Sequence, residues 1–144
     1  MQWTFNSPWF EASLQKVVEG FNQDLFSALN PKWMPMRVLR FDGCAPGDKV
    51  QLAIGLPPLT MAWTSEITAA RNEATRWWFV DEGTDLPFFL SHWKHTHRVE
   101  SREGKCRVID HIEFEFSSPV FSILLPLMRQ QFAYREKVYP SYFS

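Results

Sequence analysis

Three of the four histidines of this chain lie in the short segment 91–99. Within it Trp93, His95 and His97 stand at every second position, so in a β-strand their side chains project from one face. In the next patterned segment Asp110 has the same phase as the surrounding apolar residues. If both apolar faces point inward, two imidazoles and one carboxylate meet in the interior. An ionised carboxylate is costly there unless it is paired, and an imidazole is its natural partner.

This cluster has two interpretations. In the functional one, His95, His97 and Asp110 supply an acid/base or ligand-orienting group at the bottom of a pocket, where burial and a charged neighbour perturb titration. In the structural one they form a satisfied polar cluster that ties two strands and a helix together. A metal held by the same three residues is a further alternative. We expect no metal, because neutral histidine pairs often occur without one, and no cofactor, because no Gly-rich phosphate loop is present.

Composition limits the classes of function. The chain has 144 residues, of which 45% are hydrophobic and 16% aromatic, with a formal net charge of −1. This predicts one domain, residues 1–144, with a single core. The near-zero charge gives no basic surface for nucleic acid or an anionic membrane. The aromatic content exceeds what a minimal core requires, and either a lined cavity or a buried partner surface would account for it.

The ends and the cysteines predict a cytoplasmic location. The first residues lack the basic start and cleavage site of a secretory signal. The longest apolar stretch, 120–128, contains Ser122 and Pro126 and is too short to span a bilayer, so we expect no integral membrane segment. Cys44 and Cys106 are too few for a disulfide framework, and we interpret both as reduced thiols.

The pattern along the chain is β, α, a series of β, then α. The first strand is expected at 2–6, and Ser13 is predicted to cap one helix whose apolar stripe continues to Leu29. Period-two segments follow, ending in two long strands joined by Arg102-Glu103-Gly104. The sequence therefore predicts an α+β fold with about seven antiparallel strands around a long C-terminal helix, and with a helical insertion after the first strand.

The last helix is predicted to begin at Ser118-Pro119 and to reach about Tyr139, with Pro126 breaking or kinking it. Arg135 lies in its apolar stripe. Its guanidinium either reaches a buried carboxylate or the acidic group of a ligand, or it extends to the surface while its stem packs.

The motif Trp93-Lys94-His95-Thr96-His97, followed by Asp110 in the next strand, resembles the SRPBCC superfamily, also called START-like, Bet v 1-like or helix-grip proteins. Phe79-Val80-Asp81-Glu82 fits the same pattern, whereas Leu86-Pro87-Phe88 departs from the usual Gly-Pro-Phe. The resemblance is greatest to bacterial ligand-binding domains that stand alone or are fused to an epimerase-like domain, and it implies an epimerase-like protein as a partner. It also implies a hydrophobic cavity between the sheet and the last helix.

Members of the superfamily bind lipids, sterols or polyketides, and some are cyclases or dehydratases. We therefore expect a binding protein for a hydrophobic or aromatic small molecule, lipid, polyketide or isoprenoid-like. A cyclase/dehydratase-type enzyme using His95, His97 and Asp110 is the alternative, and a protein-interaction module with a filled core is the second. The residues expected to line the cavity are Trp63, Ser65, Trp93, His95, His97, Asp110, Ile112, Phe114, Phe121 and Phe132.

Overall fold

Alternation of apolar and polar residues folds most of the chain into one antiparallel sheet. The computed structural model describes all residues, Met1–Ser144. The sheet has eight strands: β1 Gln2–Asn6, β2 Phe10–Glu11, β3 Met36–Phe41, β4 Lys49–Ile54, β5 Met61–Asn72, β6 Arg76–Asp85, β7 Leu90–Arg102 and β8 Lys105–Phe116. Seven of them follow the order β1-β8-β7-β6-β5-β4-β3, and β2 also pairs with β8. The strand β2 has only two residues, too few for alternation to predict.

The helical insertion is two short helices, α1 (Leu14–Glu19) and α2 (Gln23–Ala28), and the prediction of one continuous helix was wrong. Ser13 caps α1 as expected, its Oγ accepting the Lys16 N–H at 3.1 Å. A second cap interrupts the helix, because Asn22 Oδ1 accepts the Leu25 N–H at 3.1 Å. The apolar stripe nevertheless remains buried across the break, which is why periodicity alone did not reveal it.

The C-terminal segment also differs from the prediction. Residues Pro119–Leu124 form a short 3-10 helix, and α3 spans Leu125–Phe143. The Ser118 side chain makes no capping hydrogen bond. Pro126 lies in the first turn of α3, where no backbone N–H is needed, so it begins the helix rather than kinking it. No helix, α3 included, is long and apolar enough to cross a membrane.

The β7–β8 hairpin sets the register of the polar residues. Glu103 and Gly104 have φ values of 51° and 78°, the left-handed conformation that a two-residue hairpin turn requires. The strands then pair without interruption from Arg102↔Lys105 up to Trp93↔Phe114. A shift of one residue would turn every side chain to the other face. The turn therefore places His97 directly opposite Asp110.

Two apolar cores flank the polar residues. The larger one packs α1 and α2 against β6, β7, β8 and the end of α3, where Phe10 stacks on Phe143 at 5.7 Å. The second packs Phe132 of α3 against Phe5 and Trp93. The helix thus contacts the β1–β8 side of the sheet, and the inner faces of β3, β4 and β5 border open space.

Candidate functional site

Four ionisable residues on three adjacent strands form a buried cluster beneath α3. Asp81 of β6 is paired with His95 of β7, and His97 of β7 is paired with Asp110 of β8. All four residues direct their side chains to the helix-covered face, and each residue is at most 9% exposed. Alternation along β7 places the two imidazoles one above the other, with ring centroids 3.6 Å apart. The sequence prediction that His95, His97 and Asp110 lie together is realised in this geometry.

The hydrogen bonds run diagonally between the strands. His95 Nε2 donates to Asp110 Oδ1 at 2.8 Å, and His97 Nε2 donates to Asp81 Oδ2 at 2.8 Å. His97 Nδ1 lies 3.3 Å from Asp110 Oδ1, within ion-pair distance. Phe79 stacks on the other face of the His97 ring at 4.3 Å. His97 is therefore enclosed between a phenyl ring, an imidazole and two carboxylates.

The two histidines have opposite protonation tendencies. Burial and the neighbouring charge of His97 lower the pKa of His95 to about 4, although Asp110 acts in the other direction. Burial also opposes charge on His97, but hydrogen bonds and charges from Asp110 and Asp81 outweigh it and raise the pKa of His97. Neutral His95 thus stands beside a histidine that favours the imidazolium form.

Both carboxylates remain ionised. Burial alone would raise the pKa of Asp81 and Asp110, but the hydrogen bonds and charges of the histidines lower both pKa values below the usual range. Tyr139 of α3 donates its hydroxyl to Asp110 Oδ2 at 3.1 Å. Burial and the charge of Asp110 raise the pKa of this phenol well above its ordinary value, so it serves as a neutral donor. Asp110 therefore connects β7, β8 and α3.

A cavity of about 280 Å³ opens beside this cluster, between α3 and the half of the sheet that the helix does not cover. Eighteen of its 23 lining residues are hydrophobic. Trp63 and Trp93 meet edge to face at 4.7 Å in its wall. The five polar lining residues are Ser65, Asp81, His95, Gln131 and Arg135. An apolar wall with a few converging polar groups has the composition of a small-molecule site.

Five of the residues expected at the cavity line it, namely Trp63, Ser65, Trp93, His95 and Phe132. The other five do not. His97 and Asp110 lie behind His95, closed off by Phe79 and Tyr139. Ile112 and Phe114 pack in the second core beside β1, on the side that α3 covers. Phe121 belongs to the 3-10 helix and contacts Phe88 and Phe89 instead.

The site contains three residues that were not among the site residues expected from the sequence, namely Asp81, Arg135 and Tyr139. Asp81 shares the face of Trp77 and Phe79 along β6, a phase that was readable from the sequence. The position of Asp81 on the inner face was hard to recognise because the middle of β6 carries apolar residues on both faces. The stripe of α3 did contain Arg135 and Tyr139, but only the strand order brings Tyr139 to Asp110.

The cluster also has the composition of a metal site, with Asp81 in place of the expected Asp110. Donor atoms of Asp81, His95 and His97 lie within 4.8 Å of one another. However, His97 Nε2 and Asp81 Oδ2, which a cation would require, already form a hydrogen bond with each other. These two atoms are therefore already occupied by each other, whereas His97 Nδ1 is buried without a hydrogen-bond partner.

No family model matches this sequence, and no curated protein matches it. Solved structures do. Protein Ms6760 from Mycobacterium smegmatis has a TM-score of 0.66 at 18% identity, covering 98% of this chain and 89% of that one. Norcoclaurine synthase from Thalictrum flavum, in complex with dopamine and hydroxybenzaldehyde, has a TM-score of 0.61 at 12% identity, covering 100% and 90%. Ginseng major latex-like protein 151 from Panax ginseng has a TM-score of 0.60 at 12% identity, covering 95% of each chain.

These neighbours are Bet v 1-like proteins, and the chain has their helix-grip fold. The α+β arrangement expected from the sequence, with an antiparallel sheet around a long C-terminal helix, is confirmed. One of these neighbours is a synthase crystallised with two small aromatic molecules, but identities of 12–18% show a shared fold and not a shared ligand or reaction.

Proposed function

We propose that this protein binds a hydrophobic or aromatic small molecule in the cavity between the sheet and α3. The observation that carries the proposal is the cavity itself, about 280 Å³ with a mainly apolar wall. This volume is close to the lower end of the range of about 300–1,000 Å³ typical of small-molecule sites. Lipid, polyketide and isoprenoid-like ligands of modest size fit this description.

The wall favours planar ligands. Trp63, Trp93 and Phe132 contribute rings to the cavity, and Trp93 lies 5.7 Å from Phe132. Aromatic pairs at such spacings stabilise a third ring placed beside them. Norcoclaurine synthase, which shares the fold, was crystallised with dopamine and hydroxybenzaldehyde. That likeness supports an aromatic ligand for this chain, and the polar groups at one end of the cavity would orient it.

A fluorescent dye that is neutral and apolar tests the proposal directly. N-phenyl-1-naphthylamine fluoresces on entering an apolar cavity, and we expect saturable binding to the wild-type protein. Ser65→Phe places a ring inside the cavity and should weaken dye binding at least about tenfold. Thr64→Phe is the matched control because its side chain lies on the opposite face of β5 and does not line the cavity.

The outcome decides between a binding cavity and surface adsorption. Equal loss in both variants, or no loss in Ser65→Phe, would contradict binding in the cavity. Leu52→Trp provides a second obstruction of the same wall in case Ser65→Phe fails to fold. Circular dichroism of each variant separates a filled cavity from an unfolded protein.

A cyclase/dehydratase-type enzyme is the second candidate, and one observation favours it. His95 lines the cavity with its Nε2 held by Asp110, while its Nδ1, 3.8 Å from Asp81, makes no hydrogen bond within the protein. A neutral imidazole held in this way can accept a proton from a bound ligand. Unchanged turnover of a candidate polyketide by Asp110→Asn would exclude this role, and turnover reduced at least about a hundredfold would support it.

The protein-interaction alternative assumed a core filled by the protein's own side chains. The open cavity of about 280 Å³ supports the small-molecule binding hypothesis more strongly than the protein-interaction hypothesis. The partnership with an epimerase-like protein rests on the sequence resemblance alone and stays a prediction. A pull-down with the purified chain as bait, against an epimerase-like protein from the same cell, tests it.

A further inference from the structure

Arg135 carries a buried positive charge for which the protein provides no direct counter-ion. The residue is 8% exposed and lines the cavity. Its Nε and Nη1 atoms are buried without a hydrogen-bond partner, and no carboxylate lies within ion-pair distance of its guanidinium. Its Cζ atom lies 4.6 Å from the centre of the Phe132 ring, which holds the side chain inside.

Asp81 and the Tyr139 hydroxyl lie close enough to interact with Arg135, but neither accepts a hydrogen bond from its Nε or Nη1. Asp81, the carboxylate that shares the cavity wall, already accepts the 2.8 Å hydrogen bond of His97. Asp110 is engaged by His95 and by Tyr139. Buried charges in proteins are normally paired and hydrogen-bonded, because desolvation is otherwise costly. Because Nε and Nη1 are inaccessible, a ligand in the cavity reaches the guanidinium through Nη2, the nitrogen outside this buried pair. A buried guanidinium without an ion-pair partner beside a cavity is the arrangement that an incoming oxyanion completes.

We propose that Arg135 is an anion-recognition residue and that the ligand of this cavity is an amphiphilic organic acid. Its apolar, preferably aromatic body lies against Trp63, Trp93 and Phe132, and its carboxylate, sulfonate or phosphate oxygen accepts hydrogen bonds from the Arg135 guanidinium. This inference deepens the proposed function and rests on it. The acid must be compact, since the cavity holds about 280 Å³, and mainly apolar, since 18 of the 23 lining residues are hydrophobic.

Asp81 determines where the acidic group can lie. Its carboxylate faces the same cavity and repels a second anion, whereas its hydrogen bond to His97 keeps its charge directed toward that imidazolium. Gln131, one turn before Arg135 on α3, also lines the cavity and offers an uncharged amide donor. The acidic group is therefore expected on the α3 side of the cavity, and the sheet side takes the apolar body.

A matched pair of dyes isolates this contribution. 8-Anilino-1-naphthalenesulfonate and N-phenyl-1-naphthylamine share one ring system and differ by the sulfonate. We expect the wild-type protein to bind the sulfonate at least about tenfold more tightly, as a charge-assisted hydrogen bond to a buried guanidinium allows. Arg135→Met keeps an apolar stem and should abolish this preference, so that the variant binds the two dyes with affinities within about twofold of each other. Arg135→Lys should retain part of it.

Arg129→Met is the control, because Arg129 is exposed on the same helix and does not line the cavity. It should leave the preference unchanged. A wild-type protein that binds both dyes equally, or a preference that survives in Arg135→Met, would overturn the assignment of Arg135. Failure of the wild type to bind either dye would instead overturn the proposed function. Binding of the neutral dye also reports that the cavity of each variant is folded.

Discussion

Replacing Asp110 by Asn tests whether the buried cluster holds the fold together. The change keeps the shape of the side chain and removes one negative charge from the interior. His95 and Tyr139 then lose a charged acceptor at 2.8 Å and 3.1 Å. The imidazolium of His97 retains only Asp81 as an ion-pair partner.

The expected loss follows from these contacts. Each hydrogen bond to a charged group contributes about 1.5–3 kcal/mol, and breaking a buried ion pair costs about 3–5 kcal/mol. The amide replaces part of this by neutral hydrogen bonds, and His97 relieves another part by losing its proton. We therefore expect Asp110→Asn to lower the free energy of unfolding by about 3 kcal/mol. At about 3 °C per kcal/mol for a chain of this size, Tm falls by roughly 10 °C.

Urea denaturation followed by tryptophan fluorescence measures this loss. Asp85→Asn is the control, since Asp85 is exposed at the end of β6 and should change stability by less than about 0.5 kcal/mol. A double-mutant cycle with Tyr139→Phe should give a coupling energy of at least about 1 kcal/mol. Additive effects, or a loss below about 1 kcal/mol in Asp110→Asn, would refute the view that Asp110 connects the strands to α3.

Two further predictions concern pH and packing. Burial lowers the pKa of His95 to about 4 in the folded protein, below the ordinary value of about 6.5 in the unfolded chain. As the pH falls, the unfolded chain therefore binds a proton at His95 before the folded protein does. The free energy of unfolding should decrease between about pH 6.5 and pH 4. His95→Gln should reduce that slope in urea titrations, and an unchanged slope would contradict the assignment. Gly20→Ala should destabilise by about 1–3 kcal/mol, because its Cβ would lie 2.5 Å from Phe143 Cε1, in a ring that stacks on Phe10. Thermal melts of Gly20→Ala and of a control variant, Ser27→Ala at an exposed position of α2, measure this loss of stability. Equal Tm values for the two variants would contradict the close contact with Phe143.

The strands were predictable because their apolar residues repeat with period two and their turns contain Gly, Pro and Asp. The helical segments were less so. The stripe from Val17 to Leu29 continues across the break at Gly20–Asn22, since both short helices bury the same side against the sheet. Only the capping bond of Asn22 distinguishes two helices from one, and an Asn followed by apolar residues is a weak signal by itself.

The site was predictable only where one strand determined it. Alternation along β7 and β8 brought His95, His97 and Asp110 to one face. Asp81 requires the pairing of β6 with β7, and Tyr139 and Arg135 require the position of α3 over the sheet, which no local pattern encodes. The extent of the cavity likewise depends on which strands the helix leaves uncovered.

A crystal structure of the protein with 8-anilino-1-naphthalenesulfonate would show whether the cavity holds an anionic aromatic ligand at Arg135. We predict that the naphthalene ring lies against Trp63, Trp93 and Phe132, with a sulfonate oxygen within hydrogen-bond distance of the Arg135 guanidinium. Dye bound only at the surface, or a cavity closed by the protein's own side chains, would contradict it.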